Sequence, residues 1–254
     1  MEPLLQLNGL SVHFAGLHAL ADVTFDAHGG EVRAVIGPNG AGKTTLFNAI
    51  SGYVPTNDGT IHFKGEPIHG LAPHEISVKG VRRTFQNGGL FPELTALENV
   101  LAGLHVQIKS SFMGILLGLG EAREAEREGI QRARKLLDLM DLGAIADQPV
   151  KDLSGGQQRM VEIVRTLSTD PPLLLLDEPV VGLSPPMRDR MMQIIRRLAG
   201  EEGIGILLIE HAIELVMAGS DVIVVLSSGK VIAEGVPEEI RQNREVLEAD
   251  LGHA

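Results

Sequence analysis

The sequence predicts an α/β fold. It is a mostly parallel sheet flanked by helices, organised on a phosphate-binding loop and joined by an antiparallel β-layer. Three observations predict it. First, Gly37-Pro38-Asn39-Gly40-Ala41-Gly42-Lys43-Thr44-Thr45 fits the pattern G-x-x-x-x-G-K-[ST], with an apolar run before it and a helical pattern after it. Second, Leu173-Leu174-Leu175-Leu176 is apolar throughout, as a strand buried on both faces of a parallel sheet must be. Third, the first 25 residues and those near 60 carry short strand patterns separated by turn signals.

Taken in order, residues 4–14 and 19–25 read as strands, and His28-Gly29-Gly30 turns the chain into a buried strand over 32–36. The glycine loop follows, then a helix over 44–50 with Gly52 as its stop. Asn57-Asp58-Gly59 is a hairpin signal ahead of a strand over 60–63. Residues 81–86 read as a short strand ending in Gln86, and from Thr95 to about Leu142 the pattern is helical. Within that stretch, Glu121 to Glu128 mixes charges at i, i+3 and i+4, which reads as a solvated helix face. Ser154 is a natural N-cap for a helix running to Leu167, and Asp170-Pro171-Pro172 stops it. A helix over 186–199, a buried strand over 204–209 ending at Glu210-His211, a closing hairpin over 221–235 and a last helix from Pro237 complete the chain.

At 254 residues the chain can bury a sizeable core. Its net charge of −11 argues against a broad nucleic-acid surface, which needs clustered Lys and Arg. With no cysteine, disulfides and thiolate metal sites are excluded. Residues 1–5 lack the basic and apolar regions of a signal peptide, and no run reaches the roughly 18 apolar residues of a membrane span. The expectation is a soluble chain whose link to any membrane runs through a partner.

The chemistry gathers at strand ends, where an open α/β sheet binds its ligand. Glycines let the loop wrap closely round phosphates, while its amides and the helix N-terminus supply positive dipoles. Lys43 would reach the β- and γ-phosphates, and the Thr44 hydroxyl would ligate Mg²⁺. Asp177 is the natural Mg²⁺ carboxylate after its apolar strand, and Glu178 beside it can orient or deprotonate the attacking water. His211 can hydrogen-bond a γ-phosphate, although a single histidine at a strand end is more often structural. Leu153-Ser154-Gly155-Gly156-Gln157 places a serine and two glycines at a helix N-terminus. It reads either as a plain cap or as a second anion site. A second site without a lysine suggests that two chains share each nucleotide.

Together these motifs resemble ATP-binding-cassette (ABC) ATPases over essentially the whole chain. The glycine loop 37–45, Gln86, the signature 153–157, Asp177-Glu178 and His211 stand in the family order. The resemblance implies a P-loop NTPase core, with a helical subdomain inserted at about 87–160 in a single domain over 1–254. It implies a head-to-tail dimer in which ATP on one P-loop is closed over by Ser154, Gly155, Gly156 and Gln157 of the other chain. Mg²⁺ is then held by Thr44, Gln86 and Asp177, and Phe14 stands where the family stacks an aromatic ring on adenine. Within the family the chain is most similar to the longer ATPase subunit of branched-chain amino-acid importers, the LivG type. Phe14 to Leu20, Arg83-Thr84-Phe85-Gln86-Asn87, Leu94 to Val100, the segment 105–128 and the tail from Gly235 carry that similarity.

Such systems pair this subunit with a second, shorter cassette, two membrane permeases and a substrate-binding protein. They place it at the cytoplasmic face of the cell membrane, with no nucleic acid. Two alternatives stand beside uptake of branched-chain amino acids: an importer of another small polar solute such as urea or an amide, and a non-transport nucleotide clamp. The chain departs from the family at Ser184 and Ala212, where aspartate is usual. The run Phe112 to Leu117 is either a hairpin packed on the helical subdomain or an exposed docking element.

Overall fold

The structure is a computed structural model, and it describes residues 2–84, 89–104 and 120–251. The chain divides into two compact units, one of residues 1–83 with 172–254 and one of residues 84–171.

In the first unit, β1 (Leu5–Phe14) and β2 (Leu17–Ala27) form an antiparallel pair. With β4 (Asp58–Phe63) and β5 (Glu66–Pro67) they make a four-stranded sheet in the order β2-β1-β4-β5. The second sheet has six strands in the order β10-β9-β3-β8-β7-β6: β3 (Val32–Ile36), β6 (Val81–Arg83), β7 (Leu173–Asp177), β8 (Gly205–Ile209), β9 (Val222–Ser227) and β10 (Lys230–Gly235). All its pairs are parallel except β9 with β10. β3, under the glycine loop, lies between β8 and β9, and every one of its residues is buried.

The period-two geometry of a strand explains that burial. Val35 of β3 and Val224 and Leu226 of β9 face a core shared with the antiparallel sheet and with Leu46, Phe47 and Ile50 of α1 (Lys43–Ile50). Ala34, Ile36, Ile223 and Val225 face the other way, against Val216 of α7 (Ile213–Gly219) and Ile240 of α8 (Pro237–Gln242). Both faces being covered, the parallel strands have no polar alternation to show. Among the other helices of this unit, α6 (Pro185–Glu202) follows β7, while α2 (Pro73–Lys79), α7 and α9 (Arg244–Leu251) were not expected from the sequence. Each of these three runs only about two turns, too short for a 3.6-residue stripe to stand out.

One turn expectation is corrected. Asn57-Asp58-Gly59 does not close a hairpin: Asp58 and Gly59 belong to β4, and Asp58 pairs with Ser11 across a register shift between Asn8 and Ser11. Gly59 adopts φ +82, and a Cβ there would stand 2.4 Å from the Gly9 carbonyl oxygen. The same left-handed backbone that makes Asp-Gly a turn signal here serves a bulge between two closely approaching strands. The tight turn falls instead at Lys64 and Gly65, between β4 and β5.

The second unit is helical: α3 (Ala96–Leu104), α4 (Gly120–Leu139) and α5 (Gly155–Leu167). Leu97, Val100, Leu104, Leu137, Ile163 and Val164 are buried in it. Asn99, fully buried, pins the loop before α3: its Oδ1 accepts the Phe91 N–H at 2.8 Å, and its Nδ2 donates to the Phe91 and Thr95 carbonyls at 3.0 and 2.9 Å. Within the expected charged face of α4, Glu124, Arg127 and Glu128 are exposed. The run Phe112 to Leu117 lies outside the described residues, as does Gln86.

Candidate active site

The first unit places most of the predicted residues in one cleft of about 510 Å³, lined by Phe14, the loop from Asn39 to Thr45, Glu178 and His211. That volume suits a nucleotide-sized ligand. The loop leaves β3 at Gly37 and enters α1 at Lys43. Gly42, the N-cap of α1, has φ +105, and a Cβ there would lie 2.6 Å from the Ala19 carbonyl oxygen. Only glycine lets the loop pass that close to β2 while turning into the helix. No side chain caps this helix end, so its first amides keep their positive dipoles toward the cleft.

Lys43 is buried and donates to the Gly37 carbonyl at 2.7 Å and the Pro38 carbonyl at 3.0 Å. Burial holds its pKa below the ordinary lysine value, and the negative charges of Glu178 and Asp177 oppose that shift. Thr44, at the first turn of α1, is exposed in the cleft. Phe14 ends β1 with nearly half its surface exposed, available to stack on a planar base. Tyr53 is also exposed but does not line the cleft.

Opposite the loop stand the ends of β7 and β8. Glu178 follows β7 directly and His211 follows β8 by one residue, and β7 and β8 are parallel neighbours. The register sets Asp177 beside Ile209, so the two side chains beyond these strand ends meet: Glu178 Oε1 is 2.9 Å from His211 Nε2. The Glu178 backbone takes φ +50, uncommon for a side-chain-bearing residue, and its N–H donates to the Ile209 carbonyl at 2.9 Å. A carboxylate joined to an imidazole at the mouth of a phosphate loop can accept a proton from a water molecule attacking phosphorus.

Asp177 is buried at the end of β7 and pairs with Arg83 at 2.7 Å. Arg83 also donates to Asn48 Oδ1 on α1 at 2.7 Å and to Ser51 Oγ at the helix C-cap at 3.3 Å, and lies over the Phe47 ring. The carboxylate is thus tied to the helix that carries Thr44. The sequence held no spacing signal for this tether, because Asn48, Arg83 and Asp177 are brought together only by the sheet order.

Among the described residues no cluster of three or more histidines or carboxylates could hold a metal by itself. A hydroxyl and one carboxylate with phosphate oxygens form the oxygen donor set that suits Mg²⁺, which keeps waters and few protein ligands. Thr44 and Asp177 supply donors of that kind, Thr44 in the cleft and Asp177 buried outside its lining.

In the second unit, Ser154 caps α5 as expected. Its N–H donates to Gln157 Oε1 at 2.9 Å, and its Oγ accepts the Gln157 N–H at 3.4 Å. This is a capping box, with Gly155 and Gly156 in the first turn. Ser184 stands at the N-cap of α6 without a side-chain cap bond, and Ala212 at that of α7.

The chain is similar to known proteins over its whole length. Residues 20–181 match the family described as "ABC transporter", and residues 230–254 match the "Branched-chain amino acid ATP-binding cassette transporter" family. The chain is 42% identical over 253 residues to the high-affinity branched-chain amino acid transport ATP-binding protein BraF of Pseudomonas aeruginosa, covering 100% of this chain and 99% of that protein. It is 40% identical, with the same coverage, to the corresponding LivG protein of Escherichia coli. Among solved structures, the ADP conformation of an ATP-binding cassette of an ABC transporter matches with TM-score 0.85 and 30% identity, over 99% of this chain and 100% of that one.

Proposed function

The chain belongs to the ABC transporter family of ATP-binding proteins, and from that premise we propose that it energises the import of branched-chain amino acids. It is the ATP-hydrolysing subunit of such an importer. The observation that carries the reading is the Glu178–His211 pair, 2.9 Å apart, in the same cleft as Lys43 and the glycine loop.

In this reading the loop from Gly37 to Thr45 and the first amides of α1 hold the phosphates, and Lys43 turns its ammonium toward the β- and γ-phosphates. Phe14 stacks on the base. Thr44 and Asp177, with Gln86, would hold Mg²⁺, which would supply positive charge against that of the phosphates. Glu178 accepts a proton from the attacking water as oxygen bonds to the γ-phosphorus, and the bond to the β–γ bridging oxygen breaks to leave ADP and phosphate. His211 holds the Glu178 carboxylate toward that water and can donate to a γ-phosphate oxygen.

The partner assignment follows the same premise. A second, shorter cassette forms a head-to-tail dimer and meets this P-loop with its signature, while Ser154, Gly155, Gly156 and Gln157 of this chain meet the partner's nucleotide. Two permeases hold the pair at the cytoplasmic face of the membrane, and the substrate-binding protein delivers the solute. The helical stretch 87–160 carries the nucleotide state to the permeases. No helix among the described residues is long and apolar enough to cross a membrane, in keeping with peripheral attachment.

The test is reconstitution of the two cassettes and two permeases in vesicles, together with the substrate-binding protein. ATP-dependent accumulation of leucine, isoleucine or valine, lost with Glu178→Gln, is the expected result. Accumulation of urea or an amide instead of these amino acids would sink the substrate assignment.

A further inference from the structure

Glu210 ends the all-apolar run of β8, is 2% exposed, and has no part in the roles assigned above. Its Oε1 accepts the Val180 N–H at 2.9 Å and its Oε2 accepts the His211 N–H at 3.2 Å; the Ala212 N–H donates to it as well. Burial pushes its pKa above the ordinary carboxylate value, against the pull of these N–H donors, and the neighbouring Glu178 pushes the same way. A carboxyl group is therefore kept where burial and a like charge both oppose its ionised form. An apolar side chain there would fill the space but leave the Val180 N–H buried without an acceptor.

The identity of the bonded amides gives the reason. Val180 lies two residues after Glu178, on the loop that carries it, and His211 adjoins Glu210 in the chain. The Glu178 N–H is already held by the Ile209 carbonyl at 2.9 Å. Two bonds from adjacent residues of one strand end therefore grip the loop from Glu178 to Val180. The Glu178 Oε1–His211 Nε2 contact closes the ring on the cleft side.

We infer that Glu210 is a positioning residue: its carboxylate clamps the Val180 amide to the end of β8 and so fixes the separation of Glu178 from His211. The inference rests on the assignment of Glu178 as the base. It concerns orientation and not nucleotide binding, because Phe14, Lys43 and the glycine loop make no bond to the clamp.

The experiment replaces Glu210 by Gln in the full chain. ATP binding is measured at equilibrium, and turnover is measured in the assembled transporter. Glutamine offers one acceptor oxygen and sets an N–H₂ against a backbone N–H, so one side of the clamp opens. The expected result is a loss of at least about tenfold in kcat, since a small misplacement of a reacting group has effects of this size or larger. The Kd for ATP should stay within about twofold, the mark of an interaction made in the transition state alone. Glu210→Asp keeps the charge but is one methylene short, and is read by the same two constants, so misfolding of the first variant leaves the test intact. An unchanged kcat in a folded variant overturns the inference, as does a Kd that weakens in step with kcat. Glu178→Gln runs alongside. Undiminished turnover in it removes the base assignment itself, whereas its loss together with an unchanged Glu210 variant removes the clamp alone.

Discussion

α1 and α5 both begin beside glycines, and they begin differently. α1 opens from Gly42 with no side-chain cap, beside a buried lysine. α5 opens from Ser154 with both halves of a capping box in place, its serine and Gln157 bonded to each other and to the backbone. The amides of α1 are turned toward a cleft, whereas the first turn of α5 is partly satisfied by its own side chains. On the proposed reading, the first offers its phosphate contacts from within this chain. The second is a capped helix end, which on the same reading would serve an anion only where another surface competes with the capping box.

The comparison can be broken from either side. Lys43→Ala has the broadest expected effect, because it strikes binding and chemistry together: hydrolysis falls by on the order of 10²–10³-fold and ATP binding by the full chain weakens, since the lost cation is replaced by nothing in the cleft. Nucleotide binding that survives intact in a filter or calorimetric assay would refute the assignment of α1 as the phosphate site. Glu178→Gln should lower turnover by about 10²–10⁴-fold while ATP still binds, the expected range for a general base. Arg83→Met should destabilise the fold by about 3 kcal/mol in denaturant unfolding, since it leaves Asp177 buried without its cation. Combined with Asp177→Asn, the loss should be less than the sum of the two, and additivity would argue against the tether.

Ser154→Ala should cost about 1 kcal/mol of stability through the lost cap, with a fall in turnover by the assembled dimer but no change in ATP binding by the chain alone. A weakened ATP affinity in the isolated chain would mean that α5 serves its own P-loop. The smallest effect is expected from Phe14→Ala, a loss of about 1 kcal/mol in ATP affinity from the missing ring face. Phe14→Tyr should restore it.

Much of the phosphate side was legible because its signal is local. The residues from Gly37 to Thr45 are contiguous, and the strand before them is apolar on both faces for a reason that the core makes plain. Ser154 was legible as a cap because its partner, Gln157, is three residues away. The Arg83 tether and the Glu210 clamp could not be read, since each joins groups far apart in the chain through strand order. A carboxylate ending an apolar strand beside a histidine was the one visible hint at Glu210. The Asp-Gly pair at 58–59 misled for a different reason: positive φ is shared by turns and bulges, and only the partner strand decides between them.

The placing of β3 between β8 and β9 also has a consequence for how the protein is made. Val32 and Ile36 leave the ribosome early, yet their neighbours in the sheet begin at Gly205 and Val222. The bonds between Val32 and Asp221, from side chain and backbone alike, join residues 189 positions apart in the chain. Pairings this distant in sequence form slowly. During synthesis the glycine loop therefore waits, with its supporting strand unpaired on both edges, until most of the chain has emerged. A truncated product lacking the last strands is expected to bind no ATP and to expose an aggregation-prone apolar strand.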